Sequence, residues 1–401
     1  MRRRRGFPPA VVGEVVGALF AVVALFAVVA PIGGADAGAA VKQGDDLYSP
    51  PANMAKKAPG TLIRTTPIAP PSGAKAWKVL YHSRSIDGKD IAVSGVVVVP
   101  RGAAPKGGRP VVTWGHGTTG LADQCAPSKQ IDAASQVPLV EQLVDAGYVV
   151  AATDYEGLGT PGVHPYLVGE SEGRSVLDAA RAARALSGSG AGDQVLVAGH
   201  SQGGQSALFA GELASTYAPE LDVVGVTAAA PVADVEHILP LAASVDGAAG
   251  YTAMAIQGFH AAYPDADPAS VLAPDAEAKS EAATTQCAGD VMDAFRGVSA
   301  AAVLAHDPLS IPSLRQLLHE NSAGNRPAGA PLLVVQGTAD TTIPQALTDA
   351  FDTKACAAGD TVDYRTYDGA THGSVIAAAQ DDVVAWMKDR VAGKPAPTTC
   401  S

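Results

Sequence analysis

Short apolar runs alternate with amphipathic stretches along most of the chain, and this pattern predicts its elements. Four of the runs are typical of buried strands: "PVVTWGHG", "YVVAATD", "QVLVAGHS" and "DVVGVTAAAP". Apolar side chains at helical spacing predict helices over residues 133–146, 171–186 and 202–215. Buried strands that alternate with helices indicate an α/β fold with a mostly parallel, doubly wound sheet.

Two regions depart from this alternation. "WKVLYHSRSIDGKDIAVSGVVVVP" has β-rich runs on either side of Asp87-Gly88, which predicts a hairpin and an antiparallel edge. Residues 232–325 are predicted to be mostly helical and are too many for a simple crossover, so we expect a helical cap or lid insertion. The alternation then returns with "PLLVVQGTAD", a helix over 344–351, "TVDYRTYD" and a last helix over about 374–391.

The first residues resemble an export signal. A basic start, "MRRRRGF", precedes an apolar run over 15–30, and Ala35-Asp36-Ala37 fits a signal-peptidase site. We therefore expect a signal peptide over 1–37 and a secreted protein. An anchor that is not cleaved is the alternative, and both the Sec and the twin-arginine routes stay open. An extended, Pro-rich arm over 38–75 should follow, and then a core made of 76–231 and 326–401.

Composition and charge narrow the classes of partner. Of 401 residues, 47% are apolar and 17% are charged, which is a globular composition. The formal net charge of −12 argues against nucleic acid and anionic membranes as partners. Four cysteines in an exported chain favour two disulfides, with three possible pairings. No motif indicates a cofactor, and neither CxxC nor HExxH occurs, so the case for a metal is weak.

Two pentapeptides fit the pattern Gly-x-Ser-x-Gly, which often marks a nucleophilic serine on a strained strand-to-helix turn. "GHSQG", with Ser201 at its centre, follows the apolar strand "QVLVA" and precedes a helix. "GESEG", with Ser171 at its centre, follows a loop and opens a helix, where a serine is typical of a cap. The setting predicts Ser201 as the nucleophile.

A serine hydroxyl needs a histidine base, and that base needs a carboxylate to orient it. His372, in "YDGATHGS", is the one downstream histidine that follows the last predicted strand, although a surface loop histidine is the alternative. Asp340, in "LLVVQGTADTTIP", leaves the preceding strand, and its alternative role is a helix cap. Other acids downstream are weaker candidates, namely Asp307, Glu320, Asp349 and Asp352.

The oxyanion of the reaction needs two N–H donors that are already in place. One should be the backbone of Gln202, at the start of its helix. The other should come from the loop "GHGTTG", with Thr118 as first choice and Gly117 or Thr119 close behind. His116 in the same loop is expected to pack or hydrogen-bond rather than act as a base.

With these residues placed, the chain resembles the secretory lipase family, the lipase A-like branch of the α/β-hydrolases. The resemblance rests on "HGTTGLADQCAPS", "TDYEGLG", "GHSQGG", "GTADTTIP" and "THG", in that order. It implies an α/β-hydrolase fold, export and ester hydrolysis, with Ser201, Asp340 and His372 as the triad. It also implies the disulfide pairings Cys125–Cys287 and Cys356–Cys400.

The function predicted is cleavage of carboxylic esters through an acyl-enzyme. The expected substrate is a small-molecule or lipid ester, with transient contact with a lipid interface; the oligomeric state stays open. An acyltransferase that uses the same acyl-enzyme and a retired hydrolase scaffold used for binding are the alternatives. Acyl-chain length and the natural alcohol are not predicted.

Overall fold

The computed structural model describes residues 47–130, 132–245 and 248–401, which belong to one compact unit. The predicted signal peptide, 1–37, and the first part of the predicted arm lie outside the described residues. In this part of the chain, no helix combines the length and the apolar character that crossing a bilayer would require.

The described residues form a sheet of nine strands in the order β1-β2-β3-β5-β4-β6-β7-β8-β9. The strands are β1 (Leu62–Ile68), β2 (Ala74–Arg84), β3 (Asp90–Pro100), β4 (Arg109–Gly115), β5 (Val149–Thr153), β6 (Ala191–His200), β7 (Asp222–Ala229), β8 (Leu332–Gly337) and β9 (Val362–Tyr367). β1, β2 and β3 pair antiparallel, as do β3 and β5, whereas the pairs from β5 through β9 are parallel. The predicted hairpin and the mostly parallel sheet are therefore confirmed.

Helices cover both faces of this sheet. The helices outside the long insertion are α1 (Val140–Asp145), α2 (Gly169–Ala185), α3 (Gln202–Tyr217), α10 (Gln345–Ala357) and α11 (Val375–Val391). Apolar side chains of α2, α3 and α10 form one buried cluster with one face of the strands. Those of α1 and α11 form a second cluster with the opposite face. The strands are buried on both sides, which explains why their sequences are continuously apolar.

The segment between β7 and β8 is helical, as the lost alternation predicts. Its α-helices are α4 (Val235–Ser244), α5 (Ala249–Ala262), α6 (Pro274–Glu281), α7 (Ala288–Ala294), α8 (Ala300–Val303) and α9 (Pro312–Glu320). Their apolar side chains form a cluster of their own, which includes Leu121, Tyr166 and Ile343 from loops that follow strands. These contacts fasten the insertion over the carboxyl ends of the parallel strands. We keep the name predicted cap for 232–325.

Two local predictions were wrong. The segment 38–75 is not simply an arm over the surface, because its residues Leu62–Ile68 form β1 and pair with β2. Ile63 packs on a small cluster with Leu80, and Pro67 is tolerated since β1 is an edge strand. The single helix expected over 133–146 is a 3-10 turn followed by the short α1, because Pro138 and a left-handed Leu139 (φ 60°) interrupt it.

The carboxyl-terminal tail lies along the other edge strand, β9. The backbone N–H of Thr399 donates to the carbonyl of Val362 (2.7 Å), and the N–H of Tyr364 donates to the hydroxyl of Thr399 (3.0 Å). Cys400 is bonded to Cys356 on α10. The tail is therefore fixed to the sheet by both hydrogen bonds and a covalent link.

Candidate active site

Ser201 lies at the tight turn between β6 and α3. Its backbone has φ 61° and ψ −120°, a conformation that non-glycine residues rarely adopt and that marks strained functional positions. A Cβ on Gly199 would lie 1.9 Å from the carbonyl oxygen of Gly203, and one on Gly203 would lie 1.9 Å from that of Gly115. Both glycines of "GHSQG" are thus required, because β4, β6 and α3 meet here with their backbones in contact.

The loops after β8 and β9 bring Asp340 and His372 together. The Nδ1 atom of His372 lies 2.8 Å from Oδ2 of Asp340. The other carboxylate oxygen, Oδ1, accepts from the backbone N–H groups of Thr342 (2.8 Å) and Ile343 (2.9 Å). Burial raises the pKa of Asp340, but the hydrogen bonds from His372, Ile343 and Thr342 outweigh it, so this pKa lies below its usual value. Asp340 therefore stays ionised and can fix the tautomer of His372.

His200 connects Ser201 to this pair. Its Nε2 lies 2.9 Å from the carbonyl oxygen of His372, and the two imidazole rings are 4.6 Å apart between centroids. Burial, together with the neighbouring His372, lowers the pKa of His200 to about 4, so its Nε2–H is a neutral donor. His200 therefore packs against His372. No direct hydrogen bond joins Ser201 and His372 among the described residues.

The candidate oxyanion residues lie around the same turn. Gln202 is the first residue of α3 and is buried, so its backbone N–H belongs to the unsatisfied first turn of a helix. Thr118 lines a cavity together with Ser201, and its hydroxyl lies 2.8 Å from that of Tyr166. At Gly117 a Cβ would lie 3.7 Å from Cβ of Ser201 and meets no closer atom than 3.6 Å. All three candidates are therefore near the proposed nucleophile.

Ser201 opens into a cavity of about 340 Å³ beneath the predicted cap. This volume is at the lower end of the range for small-molecule sites. The lining is largely apolar: Tyr166, Leu167, Val232, Ile238, Leu239, Leu241, Ala242, Val245, Ala248, Tyr251, Met292, Ile343 and Pro344, with the hydroxyls of Thr118, Thr341 and Thr342. Such a cavity suits the hydrocarbon part of an ester. Within the described residues, no group of three or more His, Cys, Asp or Glu side chains could hold a metal.

Both disulfide pairings that the resemblance implies are present, Cys125–Cys287 and Cys356–Cys400. The first joins the loop after β4 to the start of α7 in the predicted cap. Beside it, the N–H of Ala288 donates to the carbonyl of Thr119 (2.9 Å). The disulfide therefore ties the loop that carries Thr118 to the predicted cap.

Buried polar residues support the site, and sequence reasoning missed Gln336 among them. Gln336, buried in β8, donates through Nε2 to Asp340 Oδ2 (3.2 Å) and accepts from Thr348 (2.8 Å). Asp154 accepts from Ser94 (2.6 Å) and from the N–H of Ser128 (2.9 Å), so it holds its loop, the role the sequence favours for it. A polar residue in an otherwise apolar strand, as in "LLVVQG", is the signal that could have pointed to Gln336.

With this geometry in place, comparison with known proteins identifies the family. The secretory lipase family model matches residues 123–399, which is more than two thirds of the chain. The chain belongs to the secretory lipase family. By family and fold this secretory lipase is an ester hydrolase of the lipase type, and the predicted α/β-hydrolase fold is confirmed.

Its relatives include both lipases and a protein named as inactive. The chain is 26% identical to "Probable inactive lipase MT1628" of Mycobacterium tuberculosis, a match that covers 88% of this chain and 82% of the relative. It is 26% identical to "Secreted triacylglycerol lipase LIP2" of Malassezia globosa, over 89% and 83% of the two chains. Among solved structures, Candida antarctica lipase A superposes with a TM-score of 0.73 at 19% identity, over 89% and 88%. An esterase LipA of Xanthomonas oryzae superposes with a TM-score of 0.71 at 21% identity, over 84% and 99%.

Proposed function

We propose that this secretory lipase is exported and cleaves carboxylic esters through an acyl-enzyme on Ser201. His372 accepts the proton of the Ser201 hydroxyl while its oxygen attacks the acyl carbonyl, and Asp340 stabilises the imidazolium that forms. The backbone N–H groups of Gln202 and Thr118, or Gly117 in place of Thr118, hold the oxyanion. His372 then protonates the leaving alkoxide, and in deacylation it activates the water that releases the acid.

The observation that carries this proposal is the Asp340–His372 hydrogen bond beside the strained turn of Ser201. The site is formed at the carboxyl ends of three strands, β6, β8 and β9. A hydrogen bond from His200 to the carbonyl of His372 joins the end of β6 to the loop after β9. The mechanism requires Ser201 Oγ and Nε2 of His372 to come within hydrogen-bond distance. Both side chains are partly exposed, so neither is enclosed by the core.

The substrate we propose is an ester with an apolar acyl group, and the enzyme meets it at a lipid surface. The cavity wall is largely hydrocarbon, and two of its residues on and just after α4, Leu241 and Val245, are exposed by 38% and 43%. Large apolar side chains exposed beside a binding cavity are typical of contact with an apolar partner. The relatives named as secreted triacylglycerol lipases support both the substrate class and export, and the two disulfides support export.

Substitution of Ser201 tests the proposal. Ser201→Ala should remove labelling by a fluorophosphonate probe and lower ester turnover by a factor on the order of 10⁶, with an unchanged far-ultraviolet circular dichroism spectrum. Ser171→Ala is the matched control, because Ser171 belongs to the other Gly-x-Ser-x-Gly and its hydroxyl donates to Glu156 (2.5 Å). It should keep activity within about twofold. A folded Ser201→Ala variant with normal turnover would end the proposal.

The relative named as probably inactive gives a reason to test the retired scaffold as a second candidate. A retired scaffold would leave the wild-type chain unlabelled by the fluorophosphonate probe, even at saturating concentrations. Labelling at Ser201 together with slow ester hydrolysis would favour the acyltransferase, in which the acyl-enzyme passes its acyl group to an alcohol. Product analysis with water and a competing alcohol distinguishes these two outcomes.

A further inference from the structure

Glu172, in the pentapeptide "GESEG" that supplies no nucleophile, is fully buried beneath the proposed oxyanion residue. It belongs to the first turn of α2, where acidic side chains are common and usually exposed. Its Oε1 instead accepts from the side-chain amide of Gln202 (2.8 Å) and from the backbone N–H of Leu167 (2.9 Å). The Gln202 that should stabilise the oxyanion through its backbone is therefore anchored through its side chain to Glu172.

The second oxygen of Glu172 has no hydrogen-bond partner. A bare carboxylate oxygen in a buried site costs far more free energy than a protonated one, even at a helix start that favours anions. Gln205, one turn along α3 from Ser201, also has an unpaired buried atom, because its Oε1 accepts no hydrogen bond. Its Nε2 donates to the carbonyl of Leu167 (3.1 Å), so both side chains converge on residue 167. A proton on Glu172 Oε2 removes the cost of burying an unpaired carboxylate oxygen there.

The groups that face Glu172 do not compensate a negative charge. Among the described residues, its ion-pair neighbour within 4 Å is His164, at 3.7 Å. Burial lowers the pKa of His164 to about 3, so His164 is neutral. Its Nδ1–H donates to the carbonyl of Glu156 (2.8 Å), and its Nε2 accepts from Gln202 (2.8 Å).

The other ionisable groups near Glu172 are two tyrosine hydroxyls and one ion pair on α2. Tyr155 and Tyr166 are buried, and burial raises the pKa of each hydroxyl. On α2 itself, Arg174 pairs with Glu170 and not with Glu172. Burial accordingly raises the pKa of Glu172 to about 8, although the hydrogen bonds from Gln202 and Leu167 oppose this shift.

We propose that Glu172 is a neutral carboxylic acid that acts as a positioning residue: it fixes the side chain of Gln202, and with it the turn that carries Ser201. Loss of its proton leaves an anion beneath the N–H that must stabilise the oxyanion. Turnover should therefore fall when Glu172 ionises. This inference rests on the proposed roles of Ser201 and Gln202.

The first test is independent of turnover and uses infrared spectroscopy in the Ser201→Ala background. The difference spectrum between that protein and its Glu172→Gln variant at pH 6.5 should contain the carbonyl band of a protonated carboxylic acid, and this band should vanish as pH passes about 8. Glu170→Gln, two residues away on the exposed side, is the matched control and should remove no such band. A band that is absent at pH 6.5 overturns the proposal.

The second test follows kcat against pH for a soluble nitrophenyl ester. The kcat of the wild type and that of Glu170→Gln should both decline around pH 8. In Glu172→Gln the side chain keeps the shape of the neutral acid but cannot ionise, so its kcat should show no decline there. At pH 6.5, Glu172→Gln should lie within about threefold of wild type, and Glu172→Leu should lower kcat by about tenfold or more with KM little changed.

A wild-type profile that stays flat to pH 9.5, or an equal decline in Glu172→Gln, contradicts the proposal. If Glu172→Leu does not fold, the comparison between Glu172→Gln and Glu170→Gln still decides it. Absence of turnover from every variant at every pH would instead contradict the proposed function, and the infrared band would still test the state of Glu172.

Discussion

At the scale of single residues, the site depends on positions where only one residue type fits. Ser201 adopts a left-handed backbone between two glycines that touch neighbouring backbone atoms. The atoms that a new side chain would meet are carbonyl oxygens, which cannot move aside as a flexible side chain can. The strain is held by the hydrogen bond from Ser201 N–H to Ala229 (2.9 Å) and by the start of α3.

We predict that Gly203→Ala lowers the free energy of unfolding by about 3 kcal/mol, because its Cβ would lie 1.9 Å from Gly115 O. Gly289→Ala in α7 is the control: its Cβ meets nothing within 4 Å, and it should be neutral or stabilising by up to about 1 kcal/mol. Urea denaturation of both variants measures the difference. Equal stabilities would show that the turn relaxes more easily than its contacts indicate.

We predict that Asp340→Asn lowers kcat by about 10⁴ while the fold is kept, because the amide favours the wrong tautomer of His372. Asp349→Asn is the control, since Asp349 is an exposed residue of α10 and a weaker candidate on sequence grounds. It should stay within about threefold of wild type. Comparable losses in both variants would argue that Asp340 is structural.

The candidate triad could be proposed from sequence because each member follows a strand and lies within three residues of a glycine. Gln336, His200 and Glu172 could not be assigned in the same way, since their roles depend on burial and on partners far along the chain. Glu172 is the clearest case: two glutamates separated by one residue look alike in "GESEG", yet the side chain of Glu170 is 40% exposed and Glu172 has no exposed surface. Which of the two faces α3 is fixed only when the helices pack.

At the scale of elements, the buried strands were predictable because burial on both faces leaves a continuous apolar run. β1 was not, because "LIRTTPI" is half polar and is a strand only through its pairing with β2. α1 was predicted too long, because the apolar spacing continues across Pro138 although the backbone does not. Strand pairing thus determines that β1 exists, and backbone geometry determines the length of α1; the periodicity of apolar residues predicts neither.

The two disulfides should affect the enzyme differently. The Cys125–Cys287 link closes a separation of 162 residues and the Cys356–Cys400 link one of 44, so chain entropy gives them about 5 and about 4 kcal/mol. We predict that replacing Cys125 and Cys287 by Ser lowers both the melting temperature and kcat, since this link holds the loop of Thr118. Replacing the other pair should lower the melting temperature and leave kcat within about twofold. Equal kcat in both double variants would contradict this division of roles.

At the scale of the whole molecule, several buried carboxyl groups make stability depend on pH. Burial raises the pKa of Glu212 to about 7, against the opposing hydrogen bond from Gly324 N–H, and that of Glu172 to about 8. Between the ordinary pKa of a glutamate and these values, the folded chain binds protons that the unfolded chain has lost. Stability from these groups is therefore fully present below the ordinary pKa of a glutamate, and it is lost as pH rises through about 7 and about 8.

We predict that the free energy of unfolding falls between pH 5 and pH 8, and that Glu212→Gln makes this fall smaller by about 2 kcal/mol. The exposed Glu141 of α1 supplies the control, and Glu141→Gln should leave the slope unchanged. Urea unfolding at several pH values measures both slopes. A slope that is identical in wild type and Glu212→Gln would show that Glu212 is ionised in the folded state.

The tail that follows β9 has a consequence for solubility. An open sheet edge offers unpaired amide and carbonyl groups to any other extended chain. Here Thr399 occupies part of that edge, and Cys400 prevents it from leaving. Replacing Cys356 and Cys400 by Ser, which leaves the Cys125–Cys287 link in place, should therefore free this edge strand, so that copies of the enzyme begin to associate while their active sites are still intact.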